Sequence, residues 1–105
     1  PVLDGRDPKL QNWIRDSGVA ILIADNYAVE GVPSKPPADD SADFAAMPLH
    51  HLCLFKLGIH LGELWYLTDL ADHLRAQGRS RFLMTAPPLR LPGAVGSPAN
   101  AIATV

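Results

Sequence analysis

Two histidines and one glutamate are the residues whose types and placement could do chemistry here. Ile59 to Trp65 reads as a strand, and side chains on a strand alternate between its faces. Glu63 then falls in phase with Ile59, Leu61 and Trp65, while His60, Gly62 and Leu64 lie on the other side. A carboxylate on a large apolar face is costly unless it meets a cation, a hydrogen-bond donor or a metal. If that face is open to solvent, the carboxylate is simply hydrated. The pair His50-His51 sits in the first turn of the helix that runs into this strand. His50 precedes Leu54 and Leu57 by four and seven residues, so it is expected to lean toward the core. His51 points about 100° away, near Phe55. An imidazole and a carboxylate from adjacent elements can converge, and both are competent ligands for a borderline divalent metal. The competing reading is a neutral, hydrogen-bonded core histidine. Two ligands do not close a metal site, and no HxH, HxxxH or cysteine cluster supplies more.

The remaining candidates carry less. His60 lies opposite Glu63, and His73 sits among Asp72, Arg75 and Gln77, where solvent is expected. Cys53, between Leu52 and Leu54, reads as a buried, inert thiol because no cationic neighbour favours its thiolate. Asp25-Asn26 follows a buried strand at its carboxyl end, the edge that borders the ligand crevice in open α/β sheets. The same two residues could equally form a plain Asx turn. Ser97 lacks the context of a nucleophile elbow.

The elements that must position these groups follow from local signals. Asp7-Pro8 starts a helix, with Asp as cap and Pro in the first turn. Leu10, Trp13 and Ile14 make its apolar stripe, and Gly18 ends it. Val19 to Ile23 is a continuous apolar run, expected to be a strand covered on both faces. Residues 31–47 form a Pro/Ser/Asp-rich loop without apolar period. Pro48 opens a second helix that Gly58 closes, and the strand Ile59 to Trp65 follows. A third helix begins near Thr68, its expected N-cap, and ends at Gly78, with Leu70, Ala71 and Leu74 inward. Arg81 to Ala86 and Ala101 to Val105 read as two further strands. The order α-β-loop-α-β-α-β-β is an α/β organisation.

Composition bounds the partners. Nine basic against eleven acidic residues among 105 give a net charge of −2, with no surplus for a phosphate backbone, so nucleic acid is not an expected partner. Hydrophobic residues at 48% and charged residues at 19% describe a globular chain. No apolar run approaches the roughly 20 residues of a membrane helix, so no membrane partner is expected. One Cys fits a reducing compartment, and a cytoplasmic location is expected. The opening Pro1-Val2-Leu3-Asp4 has neither an initiator Met nor a signal-peptide pattern. A fragment or a processed product is therefore expected.

Several segments, in order, resemble one family. Ile23-Ala24-Asp25-Asn26-Tyr27-Ala28-Val29-Glu30 looks like the "DN-x-x-V-E" stretch of the bacterial cyclase family, the kynurenine formamidase-like, metal-dependent hydrolases. Pro48-Leu49-His50, Leu52, Gly58-Ile59 and Gly62-Glu63-Leu64 look like its "LH-x-x-L…G…EN/EL" block. Ala86-Pro87-Pro88-Leu89 and Gly93 to Asn100 resemble its "APPL…GAVGSPxN" ending. The resemblance implies an α/β fold with a partial mixed β-sheet flanked by helices, the carboxyl-terminal portion of a cyclase/formamidase-like fold. Residues 1–105 would form a single incomplete cyclase-like domain. It implies hydrolysis of an amide-type C–N bond in a small aromatic or cyclic amide, with Mn or Zn as cofactor. His50, with His51 as its alternative, and Glu63 would be late metal ligands. Asp25, Asn26 and Trp65 would border the substrate pocket. The family's upstream motif H-x-G-T-H-x-D-x-P-x-H and its catalytic base have no counterpart here, so no catalytic residue is expected in this chain. Such a piece should expose apolar surface and dock onto a missing amino-terminal half, another chain or copies of itself. The family's usual Asn after the Glu is Leu64 here. The alternative is a non-catalytic α/β binding or interaction domain that has lost its metal-binding half.

Overall fold

The computed structural model describes residues 2–37 and 44–105. The part of the 31–47 loop at positions 38–43 lies outside the described residues; the rest of that loop contains no helix or strand. The chain forms two compact units, one ending at Tyr66 and the other running from Leu67 to Val105.

The first unit opens with α1 (Pro8–Ser17). Asp7 caps it by accepting from the Lys9 amide, Pro8 needs no donor partner at the first position, and Gly18 closes it at φ 73°. Leu10 and Ile14, four residues apart, face the core, but Trp13 is 57% exposed. Strand β1 (Ile21–Ile23) pairs in parallel with β2 (His60–Gly62), Leu22 opposite Leu61. Both strands are shorter than the runs that announce them. β1 is half-buried rather than covered on both faces, because among the described residues its sheet has two strands.

Between them lies α2 (Pro48–His50), which continues as a π-helical stretch, His51–Leu57, and ends at Gly58 with φ 68°. The core is Ile14, Leu49, Cys53 and Ile59, with Leu3, Leu10, Val19, Leu22, Leu52, Leu57 and Leu61 packed around it. The inward residues of α2 are therefore Leu49 and Cys53, and Leu54 is 51% exposed. This corrects the His50–Leu54–Leu57 stripe at Leu54, while Leu57 does pack against the core. The helix is apolar nearly all round, so spacing alone could not fix its rotation. His50 lies on the flank of the buried face. Arg6 ties the described ends of the 31–47 loop together, donating to Ser34 Oγ at 3.2 Å and to the Ala45 carbonyl at 2.7 Å.

Cys53 is buried, and desolvation, reinforced by the negative Glu30, pushes its thiol above the usual value. A thiol held protonated and out of solvent is inert. Its reaction with a soluble disulfide reagent is expected to be about 100-fold or more slower in the folded chain than in urea, since it waits on local opening. Equal rates would place Cys53 at the surface.

The second unit contains α3 (Thr68–Ala76), β3 (Leu83–Thr85) and β4 (Ile102–Thr104), the strands pairing antiparallel with Met84 opposite Ala103. Thr68 is the first helical residue rather than the N-cap. Leu67 holds that position, and no side chain caps the helix there. Leu70, Ala71 and Leu74 are the half-buried residues of α3, and His73 is exposed. Among the described residues no helix is long and apolar enough to cross a membrane.

Candidate functional site

The site forms where α2 starts and where the two parallel strands end, all within the first unit. The parallel pairing brings the carboxyl ends of β1 and β2 side by side. Ala24 N–H donates to the Gly62 carbonyl at 2.9 Å, and the Leu64 and Trp65 amides donate to Asn26 and Ala24 at 3.2 Å. Glu63, Asn26 and Trp65 are thereby set at one edge. The Trp65 ring packs over Gly62: a Cβ there would lie 3.1 Å from both the ring and Ile23 Cγ1. Asp25 is exposed, whereas Asn26 and Trp65 are half-buried. Asn26 Nδ2 is buried and has no hydrogen-bond partner among the described residues.

The residue that organises the site is Glu30, which the sequence shows only as the last letter of a motif. It is 1% exposed. Oε2 accepts from the Leu49 amide at 2.9 Å, and Oε1 accepts from the His50 amide at 3.1 Å. The carboxylate thus caps α2 from twenty residues away, because Met47 at the N-cap position offers no side-chain bond. Oε1 also lies 3.0 Å from His50 Nδ1, within hydrogen-bond geometry. Three features bring Glu30 inward. Ala28 and Val29 both adopt positive φ, 69° and 58°, which for a β-branched valine is a strained conformation. Residues 29–31 pair with Leu3, whose carbonyl accepts from the Gly31 amide at 2.9 Å. Gly5 lies so close that a Cβ on it would collide with Glu30 Oε2 and approach Pro48 Cγ to 2.8 Å.

The other nitrogen of His50, Nε2, is 3.1 Å from Glu63 Oε1. Among the described residues that buried oxygen has no hydrogen-bond partner, so the pair is close but not hydrogen-bonded. His50 is 25% and Glu63 27% exposed at the side chain. His51 is exposed, its ring 5.4 Å from that of Phe55. His60 is exposed as well. The structure therefore brings together His50, Glu63 and Glu30, and leaves His51 and His60 apart from them.

These atoms fit one divalent ion. His50 Nε2 and Glu63 Oε1, 3.1 Å apart, are an imidazole nitrogen and a carboxylate oxygen that could both be ligands of a divalent ion. An unpartnered buried carboxylate oxygen beside an imidazole nitrogen is the donor chemistry such an ion takes. Among the described residues no cluster of three His, Cys, Asp or Glu is placed to hold a metal.

Leu64, next to Glu63, has φ 58° and is 70% exposed. A left-handed backbone suits Asn far better than Leu. Leu64→Asn is expected to raise stability by about 1 kcal/mol, the strain of a branched side chain at positive φ outweighing a small loss of burial. Urea denaturation checks it, and a destabilised variant would show that Leu64 packs more than it strains.

No family model matches the chain, and no curated protein matches it. Among solved structures it is similar to one described as the crystal structure of a novel cyclase, with a TM-score of 0.75 and 37% identity. The similarity covers 94% of this chain and 29% of that one. The fold is thus an α/β cyclase-like fold, with small sheets flanked by helices, and the match supports the cyclase family. The chain spans less than a third of that structure's length.

Proposed function

We propose that this chain is the carboxyl-terminal part of a metal-dependent hydrolase of the cyclase family. It would cleave an amide-type C–N bond in a small aromatic or cyclic amide, as an arylformamidase does. The observation that carries the reading is the convergence of His50 Nε2 and Glu63 Oε1, from a helix start and a strand end, at 3.1 Å. Those two side chains would hold Mn or Zn. A divalent ion there supplies Lewis acidity toward water and the amide carbonyl. Asn26 and Trp65, with Asp25 at the rim, would border the substrate, Trp65 offering an apolar wall for an aromatic ring. With Nδ1 on Glu30 and Nε2 facing Glu63, His50 has no nitrogen free to shuttle protons. The general base and the remaining ligands would come from polypeptide outside these residues. Phe55, 80% exposed, and the exposed Leu54 support docking to such polypeptide or to another copy. A cytoplasmic location belongs to the same reading.

The test is to produce the chain together with the polypeptide encoded upstream of it. Bound Mn or Zn and hydrolysis of an N-formyl arylamine are then measured. Metal loading with hydrolysis is expected. Neither, in a folded complex, would overturn the hydrolase. It would favour the second reading, a non-catalytic interaction domain, for which the two-ligand set is the supporting observation.

A further inference from the structure

We infer that Glu30 is a positioning residue that keeps the single ring proton of His50 on Nδ1 and so presents a bare Nε2 toward Glu63. The inference deepens the metal-site reading above and rests on it for its purpose, though not for its geometry. A neutral imidazole has one N–H, and here two carboxylates flank it, one at each nitrogen, at 3.0 and 3.1 Å. They are not equivalent. The fully buried Glu30 carboxylate meets Nδ1 with hydrogen-bond geometry, while Glu63 Oε1 has no hydrogen-bond partner among the described residues. A proton on Nε2 would leave a lone pair on Nδ1 facing a carboxylate oxygen where no water can intervene. A proton on Nδ1 moves the unfavourable contact to the Nε2–Glu63 side, where the buried Oε1 has no donor of its own among the described residues and a cation would satisfy both atoms. The surroundings hold Glu30 in that role. Two backbone amides grip the carboxylate, the consecutive positive-φ residues Ala28 and Val29 turn it inward, and Gly5 leaves room for it. A carboxylate that fixes the tautomer of a metal-binding histidine raises the basicity of the ligating nitrogen as well.

The test reads the tautomer directly, on the 105-residue chain without metal, by two-bond proton–nitrogen correlation of labelled imidazoles at mildly alkaline pH. Wild-type His50 is expected to show a protonated Nδ1 and a bare Nε2. Glu63→Gln should leave that pattern unchanged. Glu30→Gln, which keeps an acceptor for the Leu49 amide but puts an N–H₂ within reach of the ring in place of Oε1, should move the proton wholly or partly to Nε2. Glu30→Asp, which draws the charge back by one methylene, should give a mixture. A wild-type ring protonated on Nε2, or on both nitrogens, overturns the inference. So does an unchanged pattern in a folded Glu30 variant, which would leave Glu30 as a helix cap only. Zinc is then titrated while the Nε2 resonance is followed. It should perturb Nε2 in wild type and bind about 10–100-fold more weakly to Glu30→Gln. If the tautomer is as expected but zinc leaves Nε2 untouched, the metal reading fails while the positioning role stands.

Discussion

Glu63→Gln is expected to cost the site its metal while leaving the fold as stable as before or more so. The two effects have one origin. Glu63 Oε1 is buried and has no hydrogen-bond partner among the described residues, so in the metal-free chain the carboxylate is a liability. An amide of the same shape removes that liability, and stability should stay level or rise by up to about 1 kcal/mol. For an ion the sign reverses. An anionic oxygen becomes a neutral carbonyl with one of the two ligands weakened. Removing a mere outer partner already costs 10–100-fold in affinity, so loss of this direct ligand should reach about 100-fold or more. Hydrolysis by the complete protein would fall with it. Calorimetric Mn or Zn titration and urea denaturation of the same pair of proteins give both numbers. Undiminished metal binding in Glu63→Gln would remove Glu63 from the ligand set. A clear loss of stability instead would make it a structural acid with a donor of its own.

The separation of stability from chemistry at Glu63 also explains what was legible in the amino-acid order. Element limits were plain where a single residue carries a backbone requirement. Asp7-Pro8 starts α1, and Gly18 and Gly58 end helices in the left-handed conformation. Strand positions were right but their lengths were not, since each run of apolar residues pairs over only three positions in a two-stranded sheet. The rotation of α2 was not readable, because Leu49, Leu52, Cys53, Leu54, Phe55 and Leu57 offer apolar residues on every side. Trp13 could be placed on α1 but not inside it. Alternation puts Glu63 on one face with Ile59, Leu61 and Trp65, but β2 stops at Gly62, Leu64 turns at positive φ and the Trp65 ring lies over Gly62, so the alternation does not carry through to Glu63 and Trp65. The approach of His50 to Glu63 comes instead from a helix feeding that strand. Glu30 was invisible as a functional group, for its role depends on contacts nineteen and twenty residues away. One signal did point there. A helix beginning Met47-Pro48 has no capping residue of its own, so an acceptor from elsewhere in the chain was owed to it.

That missing cap makes Glu30→Ala the substitution expected to damage the fold most. The Leu49 amide is in a fully buried residue, where water cannot replace the lost oxygen. The His50 amide and ring nitrogen lose the same carboxylate. An unsatisfied buried donor costs about 1–3 kcal/mol, so two or three of them come to roughly 3–5 kcal/mol. Relief of strain at Val29 offsets only part of this. At about 0.1 kcal/mol per residue, a unit of this size has roughly 7 kcal/mol in all, so the variant should lose about half of its stability or more and melt at a far lower temperature. Glu30→Gln, which retains an acceptor for one or both amides, should lose much less. Circular dichroism melts of the two variants separate the contributions: a large loss in Ala and a small one in Gln assigns the effect to capping. A Glu30→Ala melt close to wild type would mean that α2 does not depend on this carboxylate, and the geometry that turns His50 toward Glu63 would need another anchor.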